Sequence, residues 1–413
     1  MRQLYTLGVR IYGAAIRIAA LWNPKAKRRT EGNRAPTAKH TFHSRPLWIH
    51  CASTGEFEQG RPLIEGIKKA RPDTPVLLSF FSPSGYEMRK DYPLADFVVY
   101  MPLDTSGRIR KFLDAYQPST AVFVKYEIWH NCLRELGKRD IPTYLVSAKF
   151  RADQIYFKPY GKWFAQSLKG FTRIFTQNIE SKTLLDKIGC RRVDVAGDTR
   201  FDRVAEIAEI NEAVPEMAEF KGNSILIAAG STWPKDEEFI ARWWSKKAED
   251  HPNVKLLLVP HELSAGHISE MKKRFPGAVL WSSDNYHSAK ALILDRMGLL
   301  SRVYRYADIA YVGGGFGAGI HNVLEPAVFG CPVIFGPRHE KFDEAKGLIS
   351  AGGAFDFSSQ EGFDKIMDSL LAEGVPFREK AGRMAGTFVQ SNRGATAKIL
   401  AALKEEKQLK SRI

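Results

Sequence analysis

Cysteine is scarce: the 413 residues hold only Cys51, Cys132, Cys190 and Cys331, and no two form a C-x-x-C pair. That spacing gives no support to a zinc site or a redox dithiol. Each thiol sits in or near an apolar run, the setting of a small buried side chain in a reducing compartment. Asp-x-Asp does not occur, and His261 and His267 lack H-E-x-x-H spacing, so no metal motif is present. Tandem repeats and low-complexity tracts are missing as well. A long uninterrupted hydrophobic run is also lacking. Residues 4–22 would reach about 28 Å as a helix, but Arg10 and Arg17 interrupt them. Two central arginines cost about 5–7 kcal/mol on insertion, against about 2–4 returned by seven Leu, Ile and Val residues. A full membrane span is therefore disfavoured.

Acid is nearly absent from the amino end. Residues 1–45 contain ten Lys or Arg and only Glu31, and so carry +9 of the net +15. Gln3, Thr6, Arg10, Gly13 and Arg17 recur at helical steps and share one face, and the other faces are apolar. This is the pattern of a helix lying in a membrane interface, with Lys25, Lys27, Arg28 and Arg29 then meeting acidic headgroups. The alternative is an amphipathic helix packed on its own domain. A basic segment beside an apolar one points to an anionic membrane rather than to nucleic acid, for which no recognition motif is present.

The whole chain is 44% hydrophobic and 26% charged, which reads as globular and long enough for two domains. From Leu47 onward, short apolar runs alternate with helical patterns, the mark of βαβ units and parallel sheets. Strands are expected at Leu47–Cys51, Val76–Phe81, Phe97–Tyr100, Ala121–Val124, Thr143–Val146, Ile174–Thr176 and Val193–Ala196. After a polar junction at 203–223, a second series runs through Ile225–Ala229, Lys255–Val259, Ala278–Trp281, Ala291–Leu294, Ile309–Val312 and Val333–Phe335. The expected layout is a membrane-associated helix and basic linker (1–45), a Rossmann-like acceptor-binding domain (46–205), a Rossmann-like nucleotide-sugar domain (223–390) and a closing helix (391–413). Two doubly wound α/β sheets facing each other would hold a ligand in the cleft between them, at the carboxyl ends of their strands.

Polar residues gather at those ends. After the first strand come Ser53, Thr54, Gly55 and Glu56. Small residues there let a substrate approach, and Glu56 serves either as a general base or as a helix-start carboxylate favoured by the dipole. Local sequence alone favours the second. Residues 311–326 read as a strand, a glycine-rich loop and a helix start, with Glu325 one turn inside the helix. Gly313-x-Gly315-x-x-Ala318 formally matches a dinucleotide fingerprint, but the next strand ends in Gly336-Pro337 with no acid for a ribose. An NAD-dependent oxidoreductase is thus the lesser alternative. Ser231, Thr232, Pro260, His261 and the Asp295–Gly298 turn end other strands of the second series.

In this order the motifs resemble the 3-deoxy-D-manno-octulosonic acid (Kdo) transferases. The matching patterns are Trp48-Ile49-His50-x-x-Ser53-x-Gly55-Glu56, Glu127-Ile128-Trp129, Gly197-x-x-x-Phe201-Asp202, Gly230-Ser231-Thr232, Asp308-x-x-x-Val312-Gly313-Gly314, His321-Asn322-x-Leu324-Glu325-Pro326 and Pro332–Pro337. The resemblance implies the two-domain GT-B architecture and an inverting, metal-independent transfer with no cofactor. The donor would be CMP-Kdo and the acceptor a lipid A precursor, at the cytoplasmic face of the bacterial inner membrane. Glu56 matches the catalytic base. Pro260, His261, Met297, Gly298, Leu299, Asn322, Val323, Leu324 and Glu325 match CMP contacts, with Ser231 and Thr232 beside them. Ser53, Gly55, Arg61, Lys125 and Glu127 are assigned to the acceptor, and the closing helix would cross back to brace the first domain. Departures are Lys125-Tyr126 before Glu127, Pro260-His261-Glu262 where Pro-Arg-His is usual, Trp233, Ile320, Val323 and Lys341. A related enzyme using a UDP-sugar is the other alternative.

Overall fold

A computed structural model describes residues 1–32, 42–210, 212–283, 286–372 and 376–410. The remainder of the expected basic linker, residues 33–41, lies outside the described residues. Two compact units form: Met1–Arg203 together with Arg393–Ile413, and Val204–Asn392.

The first unit is built on seven parallel strands: β1 (Leu47–Cys51), β2 (Val76–Phe80), β3 (Phe97–Tyr100), β4 (Thr120–Val124), β5 (Thr143–Ala148), β6 (Arg173–Thr176) and β7 (Val193–Val195). Their order across the sheet is β3-β2-β1-β4-β5-β6-β7. Every residue of β1 and β2 is buried, because helices cover both faces and the strands read as continuous apolar runs. Trp48 is fully buried among Phe112 and Phe123, and its indole N–H donates to Ser79 Oγ at 2.8 Å. The second unit repeats the plan with β8 (Ile225–Thr232), β9 (Val254–Pro260), β10 (Val279–Leu280), β11 (Ala291–Ile293), β12 (Ile309–Val312), β13 (Val333–Phe335) and β14 (Ala354–Asp356), in the order β10-β11-β9-β8-β12-β13-β14. Strand order reverses at β1/β4 in one sheet and at β8/β12 in the other. Ligands of such sheets bind at these switch points.

Several details differ from the sequence reading. Strand β14 was not expected; its three residues run from buried Ala354 to exposed Asp356, too short for an alternating signal. The polar 203–223 stretch is mostly helical, Thr199–Glu209 and Pro215–Lys221, and the second of these helices buries Met217 and Phe220. The glycine loop leads to a helix of four residues, Leu324–Ala327, so Glu325 is at its second position rather than a turn inside.

The amino-terminal helix, α1 (Arg2–Ala19), is followed by a second helix, α2 (Pro24–Gly32), where a linker was expected. Among the described residues, no helix is long and apolar enough to cross a membrane. Part of the α1 face expected to be polar turns toward the protein. Thr6 Oγ1 accepts from Asn131 Nδ2 at 3.1 Å, Tyr5 donates to Asp104 Oδ2 at 2.7 Å, and Gly13 is buried against Leu103. Lys25, Lys27 and Arg28 are exposed, but Arg29 is not free to meet headgroups from the surface. It is buried, with Nη2 donating to the Met101 carbonyl at 2.7 Å.

Candidate active site

In the first unit the loop leaving β1 enters α3 (Thr54–Ala70) through Ser53. Ser53 accepts from the Gly55 N–H at 3.2 Å. Glu56 reaches back with Oε2, which accepts from the Ser53 N–H at 3.1 Å and from the Ser53 hydroxyl. This is a capping box, so the structural reading of Glu56 is realised. Both bonds use one carboxylate oxygen, and the side chain is only half-buried. The carbonyl of Ala52 is held by the N–H groups of Phe81 and Ser82, at 3.2 and 2.8 Å, which ties the loop to the end of β2.

The Trp-x-His and Glu-x-Trp motifs meet across the switch point. His50, fully buried on β1, contacts Ser79 Oγ at 2.9 Å through Nδ1 and Glu127 Oε2 at 3.2 Å through Nε2. Trp129 donates to the same carboxylate oxygen at 2.7 Å. The Ser79 hydroxyl also accepts from Trp48, and His50 Nδ1 lies 3.2 Å from the Ser79 carbonyl as well, so the imidazole is held between the Ser79 residue and the Glu127 carboxylate. Lys125, directly after β4, has φ +66, a left-handed backbone that bulky residues adopt only under tertiary constraint. Its N–H is bound to the Val146 carbonyl at 2.8 Å. Arg61 lies further along α3, with Nε donating to Glu65 at 2.8 Å.

In the second unit, Ser231 sits at an irregularity in the β8–β9 register with φ +53. Thr232 is buried and donates to Glu237 at 3.1 Å. Trp233 stacks on His261 (centroids 4.6 Å apart), and His261 stacks on His321 (4.5 Å). Trp233 Nε1 donates to His321 Nε2 at 3.2 Å. Burial, and then His261, push the His321 imidazole down to about 4, so it is neutral at pH 7. Asn322 accepts from the Leu324 N–H at 3.2 Å and donates to Glu325 Oε1 at 3.0 Å. Val323, Leu324 and Pro260 are buried, so a ligand would reach them through their backbone. Met297 and Gly298 are exposed after β11, at the same sheet edge but two strands from β8, and Leu299 is half-buried.

The glycine run has a packing role. A Cβ on Gly313 would lie 2.2 Å from the Ser231 carbonyl, and one on Gly315 would lie 2.6 Å from the backbone of Gly336. Asp236 ties this crossing together, accepting from the Gly314 and Trp233 N–H groups, both at 2.9 Å, and from Tyr311 at 2.7 Å. Glycine is therefore required for backbone to meet backbone, with or without a phosphate. The sequence reading noted Trp233 only as a departure from the family pattern, and it did not select Asp236 or the pairing of His50 with Glu127. The last was signalled only by two aromatic-flanked polar residues ending neighbouring strands.

Residues 23–203 match the family described as 3-deoxy-D-manno-octulosonic-acid transferase (kdotransferase). The 3-deoxy-D-manno-octulosonic acid transferase of Bordetella pertussis is 27% identical over 98% of this chain and 99% of its own length. That of Haemophilus influenzae is 26% identical over 87% and 86%. Among solved structures, the UDP-GlcNAc 2-epimerase of Neisseria meningitidis aligns with a TM-score of 0.62 at 16% identity, covering 87% of this chain and all of its own, which is a likeness of fold. With collinear relatives along nearly its whole length and the matching motifs assembled at two strand-order reversals, the chain is similar throughout to 3-deoxy-D-manno-octulosonic acid transferases.

Proposed function

We propose that the protein transfers Kdo from CMP-Kdo to a lipid A precursor in lipopolysaccharide biosynthesis, working at the cytoplasmic face of the inner membrane with α1 in the interface. The supporting observation is the placement of Glu56 and of Asn322–Glu325 at the strand-order reversals of their respective sheets. Glu56 takes the proton of an acceptor hydroxyl as its oxygen attacks the anomeric carbon of Kdo. The bond from that carbon to the CMP phosphate oxygen breaks, and CMP leaves with the electron pair. Inversion follows from the single displacement. Ser231, Thr232, His261, Asn322 and Glu325, with the backbone of Pro260, Val323 and Leu324 and the Met297–Leu299 loop, are assigned to CMP. Ser53, Gly55, Lys125 and Glu127 are assigned to the acceptor. Arg61, whose Nε donates to Glu65, and Lys125 are the two cations assigned to an acceptor phosphate.

The test is to incubate the full chain with CMP-Kdo and a tetraacylated lipid A precursor in EDTA and to follow the lipid by mass spectrometry. A gain of one or more Kdo units is expected. An unchanged lipid with folded protein and intact donor overturns the proposal, and a gain from a UDP-sugar instead would replace the donor.

A further inference from the structure

A cavity of about 1020 Å³ opens between α1, α2 and the start of the helix Ser106–Tyr116. Seven cations line it, among them Arg10, Arg17, Arg29, Arg108 and Lys111, and no carboxylate does so among the described residues. Arg29 is only 4% exposed, and its Nε and Nη1 have no hydrogen-bond partner. Burial lowers its pKa to about 10, which leaves it charged at neutral pH. Burial, and then Arg17, also lower that of Arg108. A buried cation with unused donors is costly until an anion arrives. The helix beginning at Ser106 adds to the attraction. Its Thr105 N-cap makes no side-chain capping bond, and Thr105, Ser106 and Gly107 line the cavity. A helix amino terminus favours negative charge.

The exposed side of α1 indicates where the anion comes from. Leu4, Leu7, Ile11 and Ile18 are 52–64% exposed and at about 100° per residue fall on one stripe, and Leu21 and Trp22, just past the end of the helix, are 82% and 71% exposed. Arg10 and Arg17 lie about a quarter turn round the helix from that stripe, between it and the face packed on the protein. A helix that sinks the stripe into a bilayer holds these two arginines, and the mouth of the cavity, at headgroup depth. We infer that this cavity seats the phosphate headgroup of an anionic bilayer phospholipid. The seat adjoins the catalytic loop: Arg29 lies 4.3 Å over the Phe81 ring, Tyr12 stacks on that ring, and the Phe81 N–H binds the Ala52 carbonyl beside Ser53. The inference rests on the interfacial reading of α1 but not on the donor or the acceptor. Its readout is lipid binding without turnover, so the two proposals fail separately.

The test uses the full chain and three probes: short-chain soluble phosphatidylglycerol by calorimetry, sedimentation with phosphatidylcholine vesicles with or without phosphatidylglycerol, and sedimentation with phosphatidylcholine vesicles doped instead with a diphosphorylated disaccharide lipid. Saturable binding of one short-chain lipid and a preference for the anionic vesicles are expected. The double variant Arg17→Ser/Arg108→Ser should bind the soluble lipid about 25-fold more weakly, at about five-fold (about 1 kcal/mol) per cation near an anionic lipid. Lys25→Ser/Lys27→Ser removes the same charge from exposed positions outside the cavity and should keep the soluble-lipid affinity. Circular dichroism melts check that both variants fold. Equal losses in the two variants would reduce the effect to diffuse electrostatics and overturn the seat. Absence of soluble-lipid binding overturns it too, as does binding only to neutral vesicles doped with a diphosphorylated disaccharide lipid, which would give the cavity to the acceptor.

Discussion

Glu56 caps α3 through the carboxyl group that the proposed chemistry needs as a base, and one substitution separates the two roles. Glutamine at the third helical position still closes a capping box but cannot accept the proton. Glu56→Gln should therefore melt close to the parent while its turnover falls by about 10²- to 10⁴-fold. Glu56→Ala should add a stability loss of about 1 kcal/mol. Turnover and thermal melts on both variants check this, and normal turnover in Glu56→Gln sinks the base assignment. His130 offers a second test at this scale. It is packed among Tyr5, Trp163 and Phe164, and burial pushes its pKa down to about 4. The unfolded chain binds that proton near pH 6.5, so between about 6.5 and 4 the unfolded state holds more protons. Stability must fall as pH drops through that window and level off below it. Urea unfolding at pH 7 and pH 5 should show the loss, and His130→Phe should reduce it. An unchanged pH dependence in the variant would mean that other groups carry it.

At the scale of elements, the strands were readable because parallel strands covered on both faces leave continuous apolar runs, as in Leu47–Cys51 and Val76–Phe80. Helix α2 was not. Its nine residues, PKAKRRTEG, have no apolar stripe, and Arg29 is held by the Met101 carbonyl, 72 residues further along the chain. The motif Gly197-x-x-x-Phe201-Asp202 gained its meaning only in three dimensions. Asp202 accepts from the N–H groups of Gly394 and Thr396, at 2.6 and 2.7 Å, and so caps the helix Ala395–Lys410 from a distant segment. Asp202→Ala should cost about 1.5–3 kcal/mol, the usual value of hydrogen bonds to a charged group. Equilibrium unfolding measures it, with Asp202→Asn expected to lose less.

At the scale of the molecule, the carboxyl-terminal helix belongs to the first unit, although the chain builds the whole second unit before reaching it. Ile399 and Ala402 sit in one core with Leu63, Ile64 and Val122. Removing residues 393–413 uncovers α3, and a fully buried side chain of that size contributes about 1.5–3 kcal/mol. Hydrogen exchange should then show β1 and β4 losing protection while β8 and β12 keep theirs. Equal protection in both sheets would show that the helix adds nothing to the first core.

The sequence by itself determined two parallel α/β sheets, the order of their strands in the chain and which polar residues stand at the strand ends. Each of these depends on local periodicity and on neighbours a few positions away. Tertiary structure alone decided that His50 would buttress Glu127, that Trp233, His261 and His321 would stack, and that the arginines of α1, α2 and the helix Ser106–Tyr116 would line one cavity. These arrangements join side chains far apart in the chain. No local pattern records such a meeting, because the distance between the residues is set by how the helices pack on the sheets.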